Sequence, residues 1–356
     1  MPDATPNQPD LGADDIAQLA ELSQAHARIR QELAKVIVGQ DEVIESLLVA
    51  IFSRGHCILE GVPGLAKTLL ISTLAKSMKL SFNRVQFTPD LMPTDITGTE
   101  ILQEDRSTGE RIFKFLEGPI FSNLVLADEI NRTPPKTQAA LLEAMQERQV
   151  TVGGKRYPMQ DPFFVLATQN PIEQEGTYPL PEAQQDRFMF KILVKYPEFA
   201  DEYRIAEATT STTTKQVDTV IESDEIIRYQ QLVRRVPVAP HCIVYALRLV
   251  RATRVLDPDV PDFIRNWVSW GAGPRAVQNL LMGAKTRAAL DGRHFVSIPD
   301  IRRVAHPVLR HRILTNFAAE SEGVTPDVVI DKLLAHIADD EAANQMPPEL
   351  REAFAS

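Results

Sequence analysis

The chain has 356 residues, 44% hydrophobic and 24% charged, a composition that fits a soluble globular protein of about two domains and excludes wholesale disorder. Acidic side chains outnumber basic ones 48 to 38, and the net charge of −10 argues against a nucleic-acid binder that relies on Lys and Arg to neutralise phosphates. The two cysteines, Cys57 and Cys242, form no CxxC and the seven histidines show no zinc-type spacing, so neither a disulfide framework nor a side-chain metal cluster is expected.

Residues 1–12 are rich in Pro, Asp, Asn and Gln and are expected to be a flexible leader. They lack the basic and apolar regions of a secretory signal, and no apolar run approaches the roughly 18 residues of a membrane span. A cytoplasmic protein without membrane insertion is therefore expected. Ile29, Leu33, Val36 and Ile37 recur at helical spacing. The run His56–Glu60 reads as a buried strand ending at Gly61, followed by a helix with Leu70, Leu74 and Met78 on one face. Further strand-like runs are Phe82–Phe87, Asn123–Ala127, Phe163–Thr168 and Met189–Val194, and Lys136–Arg148 is helical, with Leu141, Leu142 and Met145 apolar. Strands alternating with helices predict a parallel sheet covered on both faces.

After Tyr196-Pro197 the pattern changes. The stretch Thr209–Thr214 reads as linker, and the chain beyond it is helical in pattern, with Ser297-Ile298-Pro299-Asp300 as a capped helix start. The expected organisation is a leader (1–12), an α/β domain (13–200) with hairpin insertions near 100–115 and 149–158, a linker (201–218), a smaller helical domain (219–340) and an acidic tail (341–356). The second insertion, Gln149–Tyr157, alternates and turns at Gly153-Gly154.

Three motifs carry chemistry. Gly61-Val62-Pro63-Gly64-Leu65-Ala66-Lys67-Thr68 lies between a strand and a helix and matches a phosphate loop, with Ala66 in place of its second glycine. Its backbone N–H groups and the helix N-terminus suit phosphate oxygens; Lys67 suits their charge and Thr68 suits Mg²⁺. Leu124–Ala127 leads into Asp128 and Glu129, placing two carboxylates at a strand's C-terminal end, where ligands bind in open α/β sheets. Asp128 is suited to hold Mg²⁺ through water and Glu129 to polarise an attacking water. Phe163–Thr168 leads into Gln169 and Asn170, whose amide suits a γ-phosphate or the lytic water; taken alone, Asn170-Pro171 is an ordinary turn. Arg187, in Asp186-Arg187-Phe188, and Arg275, in Gly273-Pro274-Arg275-Ala276, are lone arginines with no role that spacing alone assigns.

Taken together, Val38-Gly39-Gln40, GVPGLAKT, LADEINR, KTQAALLEAMQE, ATQNP, DRF and GPRA make the chain resemble the AAA+ ATPases, specifically the MoxR group of the branch with an insertion in helix 2, over about residues 25–340. The resemblance implies a P-loop AAA+ parallel five-stranded sheet sandwiched by helices and followed by a smaller all-α lid domain. It implies ATP and Mg²⁺ as cofactors. Val38, Gly39 and Gln40 would pack the adenine; Gly61 through Thr68, with Leu69, would hold the phosphates; Thr68 and Asp128 would hold Mg²⁺. Glu129, Asn170 and Lys67 would be catalytic, Arg187 the arginine finger reaching a neighbouring subunit, and Arg275 the lid's sensor, in cis or in trans. It further implies a hexamer and a protein substrate, in similar proteins one with a von Willebrand factor A domain, and no direct nucleic-acid binding. The functional expectation is an ATP-hydrolysing chaperone that remodels or activates a protein; the alternative is a nucleotide-dependent switch or scaffold with little turnover. Similar proteins direct both hairpins to the pore or one face of the ring; a surface decoration is the other reading.

Overall fold

In the computed structural model, residues 11–104, 111–172, 176–211, 215–338 and 340 are described. Residues 1–10 of the expected leader, 105–110 within the first expected insertion, 173–175, Thr212–Thr214 of the expected linker, 339 and the expected tail 341–356 lie outside them.

Five strands build the central sheet: β1 (Cys57–Glu60), β2 (Phe82–Gln86), β5 (Leu124–Asp128), β8 (Phe164–Gln169) and β9 (Phe190–Leu193). Their order is β2-β5-β8-β1-β9 and every pairing is parallel. Leu124 to Ala127 and Phe164 to Ala167 are buried, as continuous apolar runs in a doubly covered parallel sheet should be. The covering helices are α3 (Lys67–Ser77), α4 (Pro93–Thr97) and α5 (Pro135–Glu147). Leu141, Leu142 and Met145 of α5 pack with Val125, Val165, Phe87 and Phe188 in one buried cluster.

The two insertions are antiparallel hairpins, β3 (Gly98–Glu104) with β4 (Arg111–Glu117) and β6 (Gln149–Val152) with β7 (Lys155–Pro158). Gly153 and Gly154 turn the second with φ of 57° and 79°, the doubly positive conformation of a two-residue loop. The hairpins pack on each other: Phe115 stacks on Tyr157 at 3.9 Å between ring centroids, and Lys155 Nζ lies 3.8 Å from Glu100. Phe113 and Leu102, paired across the first hairpin, remain exposed.

By contacts the chain falls into two compact units. Ala27–Leu47 and Arg54–Ile227 hold the sheet, together with the short α6 (Glu182–Gln185) and α7 (Phe199–Thr210). The other unit takes the remainder of α1 (Ala13–Ala34) up to His26, Leu48–Ser53 of α2 (Asp41–Phe52), and everything from Arg228, including most of α8 (Ser223–Arg235). It contains α9 (Pro240–Arg251), α10 (Asp262–Trp267), β10 (Val268–Trp270), α11 (Pro274–Leu290), α12 (Ile298–Leu309), β11 (Leu314–Thr315), α13 (Phe317–Ser321) and α14 (Pro326–His336). Its core is buried Tyr245, Leu249, Leu280 and Ile301. The expected helix start at Ser297 is a capping box, in which Asp300 also accepts two bonds from Arg293, at 2.5 and 2.8 Å.

Several boundaries differ from the sequence reading: the expected domains 13–200 and 219–340 give way to units in which the helical one also takes residues up to His26 and Leu48–Ser53 and begins again at Arg228. The first helix starts at Ala13 and stops at Ala34, so Val36 and Ile37 lie beyond it. The expected linker 201–218 begins as a helix, because Phe199–Thr210 is rich in Ala and Glu and carries Asp201 and Glu202 in its first turn, where they complement the helix dipole.

His56, just before β1, is buried between Phe163 and Phe164, and its Nδ1 accepts the Val165 N–H at 3.0 Å. Burial, with the positive Arg148 nearby, lowers its pKa to about 3. The unfolded chain, with an imidazole near 6.5, therefore binds a proton that the folded chain refuses. Stability from this group is complete above pH 6.5 and is lost as pH falls toward 3, by about 1.4 kcal/mol per pH unit. Denaturant titrations at pH 6.5 and 5.0 should show that loss. His56→Asn, which keeps an acceptor for Val165, should flatten it; an unchanged slope in the variant would assign the acid lability elsewhere.

Candidate functional site

Parallel strand order brings the three motifs to one edge. Glu60 pairs with Gln169, and Gly61 N–H donates to Gln169 O at 3.3 Å, so the phosphate loop starts beside Asn170. On the other side of β8, Ala127 pairs with Ala167, which sets Asp128 beside Thr168. Lys67, Asp128, Glu129 and Asn170 thus rise from the C-terminal ends of β1, β5 and β8 in one unit.

The loop's backbone is shaped before any ligand is considered. Ala66 is the N-cap of α3 with φ 53° and ψ 25°, left-handed, following Gly64 at φ 85°. Position 66 thus requires a conformation as well as a small volume, and Ala meets it at a cost of about 1–2 kcal/mol. Lys67 Nζ donates to Gly61 O at 2.5 Å, and Thr68 follows, half-buried. Burial lowers the Lys67 pKa, opposed by the carboxylates of Asp128, Glu129 and Glu60. Glu60 is itself paired with Lys191 at 2.6 Å.

Asp128 accepts a 2.5 Å bond from the Thr168 hydroxyl at Oδ1, and two from Arg84, at 3.0 and 2.7 Å, at Oδ2. The same Thr168 hydroxyl accepts the Glu129 N–H at 2.8 Å. Glu129 also has a left-handed backbone, φ 57°, a strained conformation that turns its carboxylate out of the strand's line. Its Oε2 accepts from Gln86 Nε2 at 2.9 Å and from Arg132 at 3.1 Å. Asn170 is buried; its Oδ1 accepts the Ile172 N–H at 3.2 Å, while its Nδ2 has no partner among the described residues.

Gly39 and Gln40 lie beside a cavity of about 190 Å³, also lined by Val38, Asp201 and Arg204. Gly39 has φ 71°, and a Cβ there would collide with Asp201 of α7, so the approach of that helix demands glycine. Gln40 Nε2 donates to Leu65 O at 3.0 Å, tying this cavity to the phosphate loop. Arg187 lies apart from these groups. It precedes Met189, whose N–H donates to His56 O at 2.8 Å, at the strand-start edge of the sheet. Arg275 belongs to the other unit, exposed in the first turn of α11 behind Gly273.

Residues 56–190 match the ATPase family associated with various cellular activities (AAA), and residues 264–333 match the AAA lid domain. The chain is 43% identical to Chaperone MoxR1 of Mycobacterium tuberculosis over 86% of this chain and 80% of that one. It is 31% identical to Protein MoxR of Methylorubrum extorquens, over 88% and 95% respectively. The chain belongs to the MoxR family of AAA ATPases. A crystal structure of a proposed ATPase from Cytophaga hutchinsonii superposes with a TM-score of 0.84 at 42% identity, covering 91% of this chain and 97% of that one.

Arg84, Gln86, Thr168, Arg132, Asp201 and Arg204 bond to or line the candidate site and were missed by the sequence reading. Arg84 and Gln86 lie on an edge strand whose Phe-Asn-Arg-Val-Gln alternation reads as solvent-facing polarity. That polarity was the available signal: an edge strand facing a cleft has its polar side chains turned toward the site. Among the described residues no helix is long and apolar enough to cross a membrane, and no group of three or more His, Cys, Asp or Glu is placed to hold a metal.

Proposed function

We propose that this chain is a cytoplasmic Mg²⁺-dependent ATP hydrolase that works as a hexameric ring to remodel, assemble or activate a protein partner. The observation that carries the reading is the convergence of Lys67, Asp128, Glu129 and Asn170 on the C-terminal edge of β1, β5 and β8. The residues suit a nucleoside triphosphate. The left-handed Ala66 turns the loop so that successive N–H groups converge, Lys67 supplies a cation, and the unpartnered buried Nδ2 of Asn170 is a donor for phosphate oxygen or water. Thr68 and Asp128 would be the oxygen ligands for Mg²⁺, which would supply positive charge against the phosphates. Asp128 is held for that role by Thr168, and Glu129 is the carboxylate that takes a proton from water.

Val38, Gly39 and Gln40 bind the adenine, and Gln40 relays its position to Leu65. Arg187 acts on the neighbouring subunit's nucleotide, and Arg275 senses nucleotide from the lid. The family likeness to a chaperone supports a protein substrate; that the substrate carries a von Willebrand factor A domain is a further part of the proposal. The bonds from Gln86 and Arg132 to Glu129 favour a second reading, a switch with little turnover, if nothing releases them.

Lys67→Ala removes the charge-assisted bond to phosphate, worth about 1.5–3 kcal/mol, so ATP should bind roughly 10- to 100-fold more weakly. Titration with a fluorescent ATP analogue measures this. Undiminished binding would remove the phosphate loop from the site.

A further inference from the structure

Three carboxylates act on the Lys67 ammonium, those of Asp128, Glu129 and Glu60. Each is held by a different cation. Asp128 lies 2.7 Å from Arg84, Glu129 3.1 Å from Arg132 and Glu60 2.6 Å from Lys191. Lys67 itself donates to a neutral group, the Gly61 carbonyl, at 2.5 Å. The cations that serve its acidic neighbours thus leave its charge for another anion.

Glu60 differs from the other two in having no part in holding metal or activating water. It is the last residue of β1 and adjoins Gly61, on whose carbonyl Lys67 rests. Lys191 belongs to β9, the edge strand beside β1. Ile58 pairs with Lys191 and Glu60 with Leu193, so the alternation of side chains sets Lys191 and Glu60 on one face as diagonal neighbours. Both side chains are largely covered, at 20% and 26% exposure. A carboxylate left unpaired in such a place is costly and draws in another cation. The phosphate loop offers Lys67 as that cation.

We infer that Lys191 is a positioning residue for nucleotide binding: by neutralising Glu60 it keeps Lys67 available to the phosphates. Without Lys191, Glu60 competes for Lys67 and also repels the triphosphate, and both effects weaken binding. The inference rests on reading Gly61–Thr68 as the phosphate loop, and it adds to that loop a residue on a separate strand. A lysine on an edge strand also has plainer uses, discouraging edge-to-edge pairing or bracing β9 against β1. Those uses predict a different pattern of variants.

Lys191→Met and Glu60→Gln break the same ion pair, yet their effects on binding of a non-hydrolysable fluorescent ATP analogue should differ. Lys191→Met should weaken binding roughly two- to fivefold, the scale of a partly exposed ion pair. Glu60→Gln should bind as tightly as the parent, or up to about fivefold more tightly, because a negative charge leaves the surroundings of Lys67 and the phosphates. Lys191→Arg should match the parent. Lys191→Met combined with Glu60→Gln should recover at least parental affinity, since the charge that Lys191 answers is gone. A brace between strands would instead lose affinity in both single variants. That pattern, or parental affinity in Lys191→Met, would overturn the inference while leaving the ATPase reading intact. Should Lys191→Met fail to fold, the sign of Glu60→Gln decides, and weaker binding there overturns the inference. Failure of the parent protein to bind the analogue would instead overturn the phosphate-loop reading.

Discussion

Replacing Arg187 by Ala should leave ATP binding nearly intact and reduce turnover by about 10³–10⁵-fold, the scale of an arginine supplied to phosphoryl transfer. The geometry separates this residue from the site in its own chain. Cys57 pairs with Phe190 and Glu60 with Leu193, so β1 and β9 run side by side in the same direction. Arg187 precedes that pairing at the strand-start edge, whereas the phosphate loop leaves from the other end. The three residue steps from Cys57 to Glu60 alone span about 10 Å, and the backbone on both sides adds to it. A guanidinium placed there suits the phosphate of an adjoining subunit, where its planar fork matches phosphate oxygens. Mixing Arg187→Ala with Lys67→Ala protein should then restore some hydrolysis, because mixed rings contain interfaces with an intact Lys67 facing an intact Arg187. A mixture as inactive as its components would place Arg187 and Lys67 in one subunit's own site, and full activity in a strictly monomeric preparation would equally rule out action between subunits.

Glu129→Gln should bind ATP as the parent does and hydrolyse it about 10²–10⁴-fold more slowly, the range for loss of a general base. Binding should persist because Lys67, Thr68 and Asp128 are untouched and the Glu129 N–H keeps its bond to Thr168. Glutamine has nearly the shape of glutamate but takes no proton from water. A parental rate in the variant, measured by phosphate release, would assign water activation to another group.

The strands, the phosphate loop and the carboxylates after β5 were legible because each rests on a local rule: apolar runs of strand length, a glycine turn between strand and helix, acids at a strand's C-terminal end. The features that were not legible depend on tertiary placement. Asn-Arg-Val-Gln at 83–86 carries no motif, and Arg84 gains its meaning only when β2 pairs with β5 and sets Gln86 opposite Asp128. The helix Phe199–Thr210 was hidden by the threonine-rich stretch at its end, which outweighed the helix formers before it. Once formed, it sets Asp201 against Gly39, a contact between positions far apart in sequence. Ala66 reads in the sequence as a matter of volume, whereas its left-handed backbone makes conformation the stricter demand. The alternation of the second hairpin was readable, but the stacking of Phe115 on Tyr157 was not, since no local pattern links strands from separate insertions.

The most direct measurement is the chemical identity of the nucleotide retained by Glu129→Gln after incubation with MgATP and rapid removal of free ligand. A site that binds through Lys67 and Asp128 but has lost its water-activating carboxylate should hold intact ATP close to stoichiometry, where the parent holds ADP. Recovery of ADP from the variant, or of no nucleotide from either protein, would contradict the assignment of this edge of the sheet as an ATP-hydrolysing site.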